Sequence, residues 1–351
     1  MALDFNKWTV KAQESLQAAR EAARRNQCKN NLKQLSLACL LHVDTQKYLP
    51  SGGWNDRYTA DPNRGYGGKQ PGSWYYNILA YIEEQALRDL GKGQAFDGNT
   101  PSAGYKAALI QVHQTPVAGF ICPSRRSVKI YPYAAGASGP PWLTPTLVSG
   151  GNTKGDYAAS SGDSLISAGD GYGADQTWPT QKTLTYAAID AGTWTPAFCP
   201  PPVVRGLTNR YCQSGAVGYR SETKLSQITD GTANTYLVGE KYLPPSFYET
   251  AAATIAGYGD DQGAYTGLEW DNQRVAYNPQ SAYSRDTFQP RQDGSLSGND
   301  DANNFAFGSA HAGGFNMAMC DGSVQSISYD IDSDTHRYLA VKDDGQIAKT
   351  Q

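Results

Sequence analysis

Histidine and cysteine are the natural places to look for chemistry in this chain, because both are scarce, at four and six in 351 residues. His311 stands nine residues ahead of the Asp321-Gly322 pair in the stretch "HAGGFNMAMCDGSVQSISYDI" (311–331). A histidine beside an acid can orient a nucleophile or ligate a metal. The residues between this His and this Asp, however, read as a strand, and seven strand residues span about 23 Å at ~3.3 Å each. The spacing therefore puts His311 and Asp321 at opposite ends of one strand and predicts a structural pair of turns. Gly313-Gly314 turns the chain in, and Asp321-Gly322 turns it back through a type I′ hairpin loop.

Carboxylates offer two more candidates. In "ITDGTANTYLVGEK" Asp230-Gly231 lies in a polar turn, and Glu240 closes a strand that reads as buried. A buried carboxylate needs hydrogen-bond donors, so Glu240 is expected to be a core hydrogen-bond hub rather than an acid catalyst. The loops "GDDQG" (Asp260, Asp261) and "GNDDANN" (Asp300, Asp301) could supply oxygen ligands to calcium. Neither follows the EF-hand pattern, and calcium is the one cofactor the sequence raises.

The six cysteines include no C-x-x-C pair, which argues against a zinc ribbon or a thioredoxin-type site. An even number permits disulfides, and the flanks of "CPPPVVRGLTNRYC" make Cys199–Cys212 the local pairing that spacing favours; buried free thiols are the alternative. The loop aromatics Trp54, Tyr58, Tyr66, Trp74, Trp142, Trp178, Trp194 and Trp270 suit stacking on sugars or protein partners, against the plainer reading that they fill small cores under long loops.

Composition narrows the class. Charged residues are only 18% of the chain, while Gly (37) and Tyr (23) are abundant, which favours a β-rich fold with long ordered loops. A net charge of −3 implies no strongly charged partner. The distribution is uneven: residues 1–48 carry eight Lys/Arg and four Asp/Glu. A basic arm on an acidic body suits self-assembly or an anionic surface, or is simply a solvated helix face. It lacks the interleaved aromatics and motif of a nucleic-acid binder. No run of about 20 apolar residues spans a membrane, and the start of the sequence has no signal-peptide core.

Residues 8–48 read as one long helix, without Gly or Pro. Cys28, Leu32, Leu35, Cys39 and Val43 recur at helical spacing, with Leu37, Leu40 and Leu41 expected to widen the stripe. The second half should pack on the body; the first, mostly Ala and charge, should project or pack on a partner. A second amphipathic helix is expected over 73–91, a short one over about 106–113, and a C-terminal one from "DSDTHRYLAV". Strands are expected at "VAGFIC" (117–122), "DYAAS" (156–160), "LTYAAI" (184–189), "TYLVGEK" (235–241), "GFNMAMC" (314–320) and "SVQSISYD" (323–330). The chain thus divides into a helix, 1–48, and a β-rich body, 49–351, interrupted by Gly- and aromatic-rich insertions.

Several of these segments together resemble a bacterial family best known from Planctomycetes: prepilin-type proteins carrying domain of unknown function 1559. The resemblance rests on Gln17–Arg25 ("QAAREAARR"), Cys28, Asn30–Gln34 ("NNLKQ", with Asn31 and Leu32), "GSWYYNILAYIEEQAL" (72–87), "FICPS" with Cys122, "DYAAS", "ITDGTANTYLVGE" with Asp230, Gly231 and Glu240, and the His-nine-Asp-Gly motif with Gly314. It implies a pilin-like α+β fold, a long N-terminal helix packed on an antiparallel sheet with elaborated loops. It further implies a non-enzymatic structural subunit of the cell envelope, akin to pseudopilins of type II secretion, outside the cytoplasm, meeting copies of itself or related subunits through the helix. An extracytoplasmic binding module for glycans or an envelope protein is the alternative. The first ~16 residues depart from the pattern: the family's cleavage site and apolar helix are replaced by "MALDFNKWTVKAQESL", which resembles the first helix of ClpB-type disaggregases.

Overall fold

The computed structural model describes residues 9–134, 139–163, 185–190, 214–250, 259–277, 284–294 and 305–346. The fold is α+β. Helix α1, Val10–Gln46, starts where Thr9 caps the Ala12 N–H and stops at Lys47, whose left-handed backbone (φ 74°) sends its N–H back to the Val43 carbonyl. Its buried residues begin at Cys28 and continue through Asn31, Leu32, Leu35, Ser36, Ala38, Cys39 and His42. Nothing earlier in the helix is buried. Leu37 and Leu41 are exposed instead of widening the stripe. They lie two residues on from Leu35 and Cys39, about 200° round a helix of 3.6 residues per turn.

Shorter helices follow: α2 (Trp74–Ile78), α3 (Gln85–Arg88), α4 (Ala103–His113), α5 (Thr144–Gly150), α6 (Tyr186–Asp190) and α7 (Ser333–Ala340). Three expected elements need correction. The single helix over 73–91 is broken: after α2 comes a 3-10 turn at Leu79–Tyr81, and Glu83 takes φ 66° before α3 begins. All five α2 residues, Trp74 to Ile78, are buried, so the segment has no solvent face that would let an amphipathic helix continue. "VAGFIC" contains a 3-10 turn, Ala118–Phe120, in place of a strand. Of "LTYAAI", residues 186–189 belong to α6 instead of a strand.

The main sheet comprises β1 (Tyr157–Ser160), β2 (Tyr236–Glu240), β3 (Gln273–Arg274), β6 (Phe315–Met319) and β7 (Val324–Ile327), in the order β3-β1-β2-β6-β7. A separate parallel pair joins β4 (Arg291–Gln292) to β5 (Gly308–Ser309). The main sheet is antiparallel except at its edge, where two-residue β3 runs parallel to β1, so it is mixed. On one face α1 presses Leu32, Leu35 and Cys39 against Val238, Ala318 and Cys320. On the other, α7 brings Leu339 and Ala340 onto Tyr236, Phe315, Met317 and Met319. Each fully buried leucine on the first face stabilises by about 2–3 kcal/mol.

The β6–β7 connection is a three-residue loop rather than the two-residue type I′ turn. The Gly322 N–H donates to the Met319 carbonyl at 2.9 Å, Met319 N–H to the Ser323 carbonyl at 2.8 Å, and Gly322, unlike Cys320 and Asp321, takes positive φ, 82°. This is a turn closed by a glycine bulge. Asp321 Oδ1 accepts the Ser323 N–H at 2.8 Å. The Gly322 carbonyl in turn receives Lys33 Nζ of α1 at 2.6 Å. A Cβ on Gly322 would lie 2.9 Å from Leu40 Cδ1. Gly322→Ala is therefore expected to cost about 1–2 kcal/mol, from left-handed backbone strain and the contact together. Equilibrium urea unfolding measures it, and an unchanged midpoint would refute the bulge.

Candidate functional site

The motif residues converge where α1 crosses the sheet. Cys28 projects from α1, Cys122 follows the Ala118–Phe120 turn, Glu240 ends β2, and His311 sits in the turn before β6. Their donor atoms all lie within 4.8 Å of one another and all four residues are buried. Cys28 and Cys122 are joined in a disulfide with Cα atoms 5.3 Å apart. His311 Nε2 lies 3.2 Å from Glu240 Oε1, and Glu240 Oε2 accepts the Asn316 N–H at 2.7 Å and Asn316 Nδ2 at 3.1 Å. The other imidazole nitrogen is 3.4 Å from Glu21 Oε1 on α1. Asn31 Nδ2 donates to the Ile121 carbonyl at 3.0 Å and to the Tyr157 hydroxyl at 3.2 Å, and that hydroxyl donates to the Cys28 carbonyl at 3.4 Å.

This arrangement is a latch between helix and sheet. With the sulfur–sulfur bond closed, only His311 and Glu240 remain as metal donors, fewer than the four of a structural zinc centre. Glu240 is 0% and His311 2% exposed, so the pair is shut off from solvent. His311 and Asp321 are not brought together; the histidine's acid partner is Glu240, across the β2–β6 pair, while Asp321 serves its own turn. Gly314 permits close approach of the hairpin, since a Cβ there would lie 2.3 Å from the Ile327 carbonyl oxygen. Asp230 acts elsewhere, its two oxygens accepting the N–H groups of Asp344 and Gly345 at 2.8 and 3.0 Å. Cys199 and Cys212 lie outside the described residues. Cys39 and Cys320 are buried free thiols whose ionisation burial disfavours.

Beside the latch lies a buried ionic network that sequence reading passed over. Arg125 Nε reaches Asp293 Oδ2 at 2.7 Å, and Arg126 joins Asp156 at 2.7 Å and Asp260 at 2.6 Å. Lys241 Nζ adds a second contact to Asp260 at 2.9 Å. Asp156 also accepts the Cys122 N–H at 2.7 Å, linking network to disulfide. The adjacent arginines in "CPSRR", directly after Cys122, were the available signal. Asp260 is thereby removed as a calcium candidate: its oxygens are taken by cations. Burial opposes its ionisation, but Arg126, Lys241 and Lys154 outweigh that and hold its carboxyl well below the usual range. Asp261 faces a different cluster, and Asp300 and Asp301 lie outside the described residues.

A cleft of about 850 Å³ opens between α1 and the segment around Cys122, lined by Arg24, Gln27, Asn31, Ile121, Ser124 and Val128 among others. No aromatic ring is among its described lining residues. Trp54, Tyr58 and Trp74 are buried, Tyr66, Trp142 and Trp270 are partly buried, and Trp178 and Trp194 lie outside the described residues. The Trp54 ring packs on Tyr58 and Tyr186 and carries the Arg64 guanidinium at 5.0 Å.

A family model described as a protein of unknown function, DUF1559, matches residues 17–334. No curated protein matches, and no solved structure does.

Proposed function

From the premise that this chain belongs to the DUF1559 family, we propose that it is a non-enzymatic, pilin-like assembly subunit of the cell envelope, which meets other subunits through the first half of α1. The observation that carries this reading is the asymmetry of α1. From Cys28 onward the helix is latched to the body by a disulfide and buried polar contacts; before Cys28, some eighteen residues carry no buried side chain, and the half-exposed Glu21 reaches His311 and Ser124 at 3.4 and 3.3 Å. A helix of that length is marginal alone in water and gains stability by packing. Along it Ala12, Leu16, Ala19 and Ala23 share one face at helical spacing, three small side chains beside one apolar one against which another helix could pack.

The buried Cys28–Cys122 disulfide supports a place in an oxidising compartment, outside the cytoplasm. Among the described residues no helix is long and apolar enough to cross a membrane. The alternative, a glycan-binding module, draws less support, because Trp54, Tyr58 and Trp74 are spent on the interior.

The test is self-association. Sedimentation and negative-stain microscopy of the chain are expected to show oligomers or fibres. Leu16→Glu with Ala19→Glu, which leaves the body untouched, is expected to weaken association at least tenfold, about 1.4 kcal/mol, with unchanged circular dichroism. A monomer for both proteins across the accessible concentrations would sink the proposal.

A further inference from the structure

The loop from 259 to 272 gathers Asp261, Glu269 and Asp271, whose donor oxygens all lie within 4.8 Å of one another. The three residues are 3%, 5% and 4% exposed. Two main-chain donors serve the group: Gln262 N–H reaches Asp271 Oδ2 at 2.8 Å, and Asp271 N–H reaches Glu269 Oε1 at 2.7 Å. Asp261 Oδ1 and Asp271 Oδ1 are buried without a hydrogen-bond partner. Buried polar atoms are nearly always satisfied, by protein, water or an ion, and unpartnered carboxylate oxygens facing other carboxylates are the costliest kind.

The cations nearby, Arg274, Lys154 and Lys241, attract the trio across a distance but aim their hydrogen bonds at other atoms, Lys241 Nζ at the Asp271 main-chain oxygen, 2.9 Å away, and at Asp260. Lys154 Nζ donates to the main-chain oxygens of Asp260, at 2.8 Å, and Gln262. Arg274 donates from Nε to the Ala306 carbonyl at 2.9 Å and from its other nitrogens to the carbonyls of Trp270, Gln273 and Tyr242. The neighbouring acids are different: Asp156, Asp260 and Asp293 each meet an arginine directly. The protein has thus paired one set of buried acids directly, and among the described residues an adjoining trio of like charge has cations near it but no ion pair of its own.

We propose that Asp261, Glu269 and Asp271 are a binding site for one hard divalent cation of the calcium class. An all-oxygen donor set with three formal negative charges selects such ions over zinc or copper, and the ion's charge offsets the desolvation of the trio. Without the ion, burial and repulsion from Asp271 push the Asp261 and Glu269 carboxyls well above the usual range. The competing state is therefore a shared proton.

The experiment uses the full chain, stripped with chelator and titrated with calcium, read by equilibrium binding, thermal melting and terbium luminescence sensitised by Trp270. The expected result is one bound equivalent, with a dissociation constant of about 10⁻⁶ to 10⁻³ M, and a melting temperature that rises on saturation. Asp261→Asn and Asp271→Asn should each abolish binding and the rise. In chelator both should melt no lower than the parent, because they relieve repulsion; that shows they are folded. Asp300→Asn with Asp301→Asn should bind as the parent does. Binding absent up to ~10 mM, beyond the weakest extracellular calcium modules, would overturn the proposal in favour of the shared proton. Binding that survives Asp271→Asn would overturn it in favour of a site elsewhere.

Discussion

Replacing Cys28 with serine is expected to lower the free energy of unfolding by about 4–5 kcal/mol. The disulfide to Cys122 spans 94 residues, and closing a loop of about 100 residues restricts the unfolded chain by ~4.7 kcal/mol in the loop-entropy account. Cys122→Ser should cost the same, and the double variant little more, since either change alone breaks the bond. Urea unfolding of the three proteins, with a thiol titration of each, measures this. A loss under about 1 kcal/mol would mean that the polar half of the latch holds α1 without the covalent half.

The second large effect is acid sensitivity. His336 projects from the buried face of α7 among the rings of Tyr236, Phe307 and Phe315, with Nδ1 3.2 Å from the Tyr236 hydroxyl. Burial pushes its imidazole down to about 3, and burial brings His113 and His42 to about 4. A folded-state value below that of the unfolded chain means the unfolded chain binds the extra proton. The stability from a neutral buried histidine is present above pH ~6.5 and lost as pH falls towards the folded value, by about 1.4 kcal/mol per unit. The raised carboxyls of Asp61, Asp261, Glu269 and Asp293 act with the opposite sign, so the clean measurement is a difference. His336→Gln keeps a group able to bond the Tyr236 hydroxyl and cannot be protonated. Between pH 6.5 and 4.5 it is expected to lose about 2–3 kcal/mol less than the parent. Equal losses would show that His336 titrates normally.

The elements with a clear period were legible in the sequence; the contacts between them were not. The stripe Cys28–Leu32–Leu35–Cys39 marks the face that α1 buries, and alternation marks β6 and β7. The all-round burial of Trp74–Ile78 erased the period there, and the helix over 73–91 came out broken. Cysteine spacing favours near pairs, and a bond between residues 28 and 122 leaves no local trace; Cys28 read simply as one more apolar position. The site suffered in the same way. Looking along the strand from His311 leads to Asp321, whereas its acid comes from the neighbouring strand: Gly239 pairs with Met317 in the β2–β6 register, which sets Glu240 beside Asn316 and the turn that carries His311. Arg125 and Arg126 directly follow the "FICPS" motif, yet only the fold reveals that Asp156, Asp260 and Asp293 arrive from three distant segments to meet them.

The position of Cys28 along α1 also has a mechanical meaning. The eighteen residues ahead of it form a lever about 27 Å long at ~1.5 Å per residue, and the covalent bond stands at its fulcrum. Tension applied to the lever passes through sulfur into the segment at Cys122, and from there, through Asp156 and the paired arginines, into the middle of the sheet. The apolar contacts of Leu32, Leu35 and Cys39 lie behind that point and are shielded from peeling. In the assembly proposed above, a subunit tied in this manner would transmit a pull from its neighbours into its own body without first unzipping the helix that receives it.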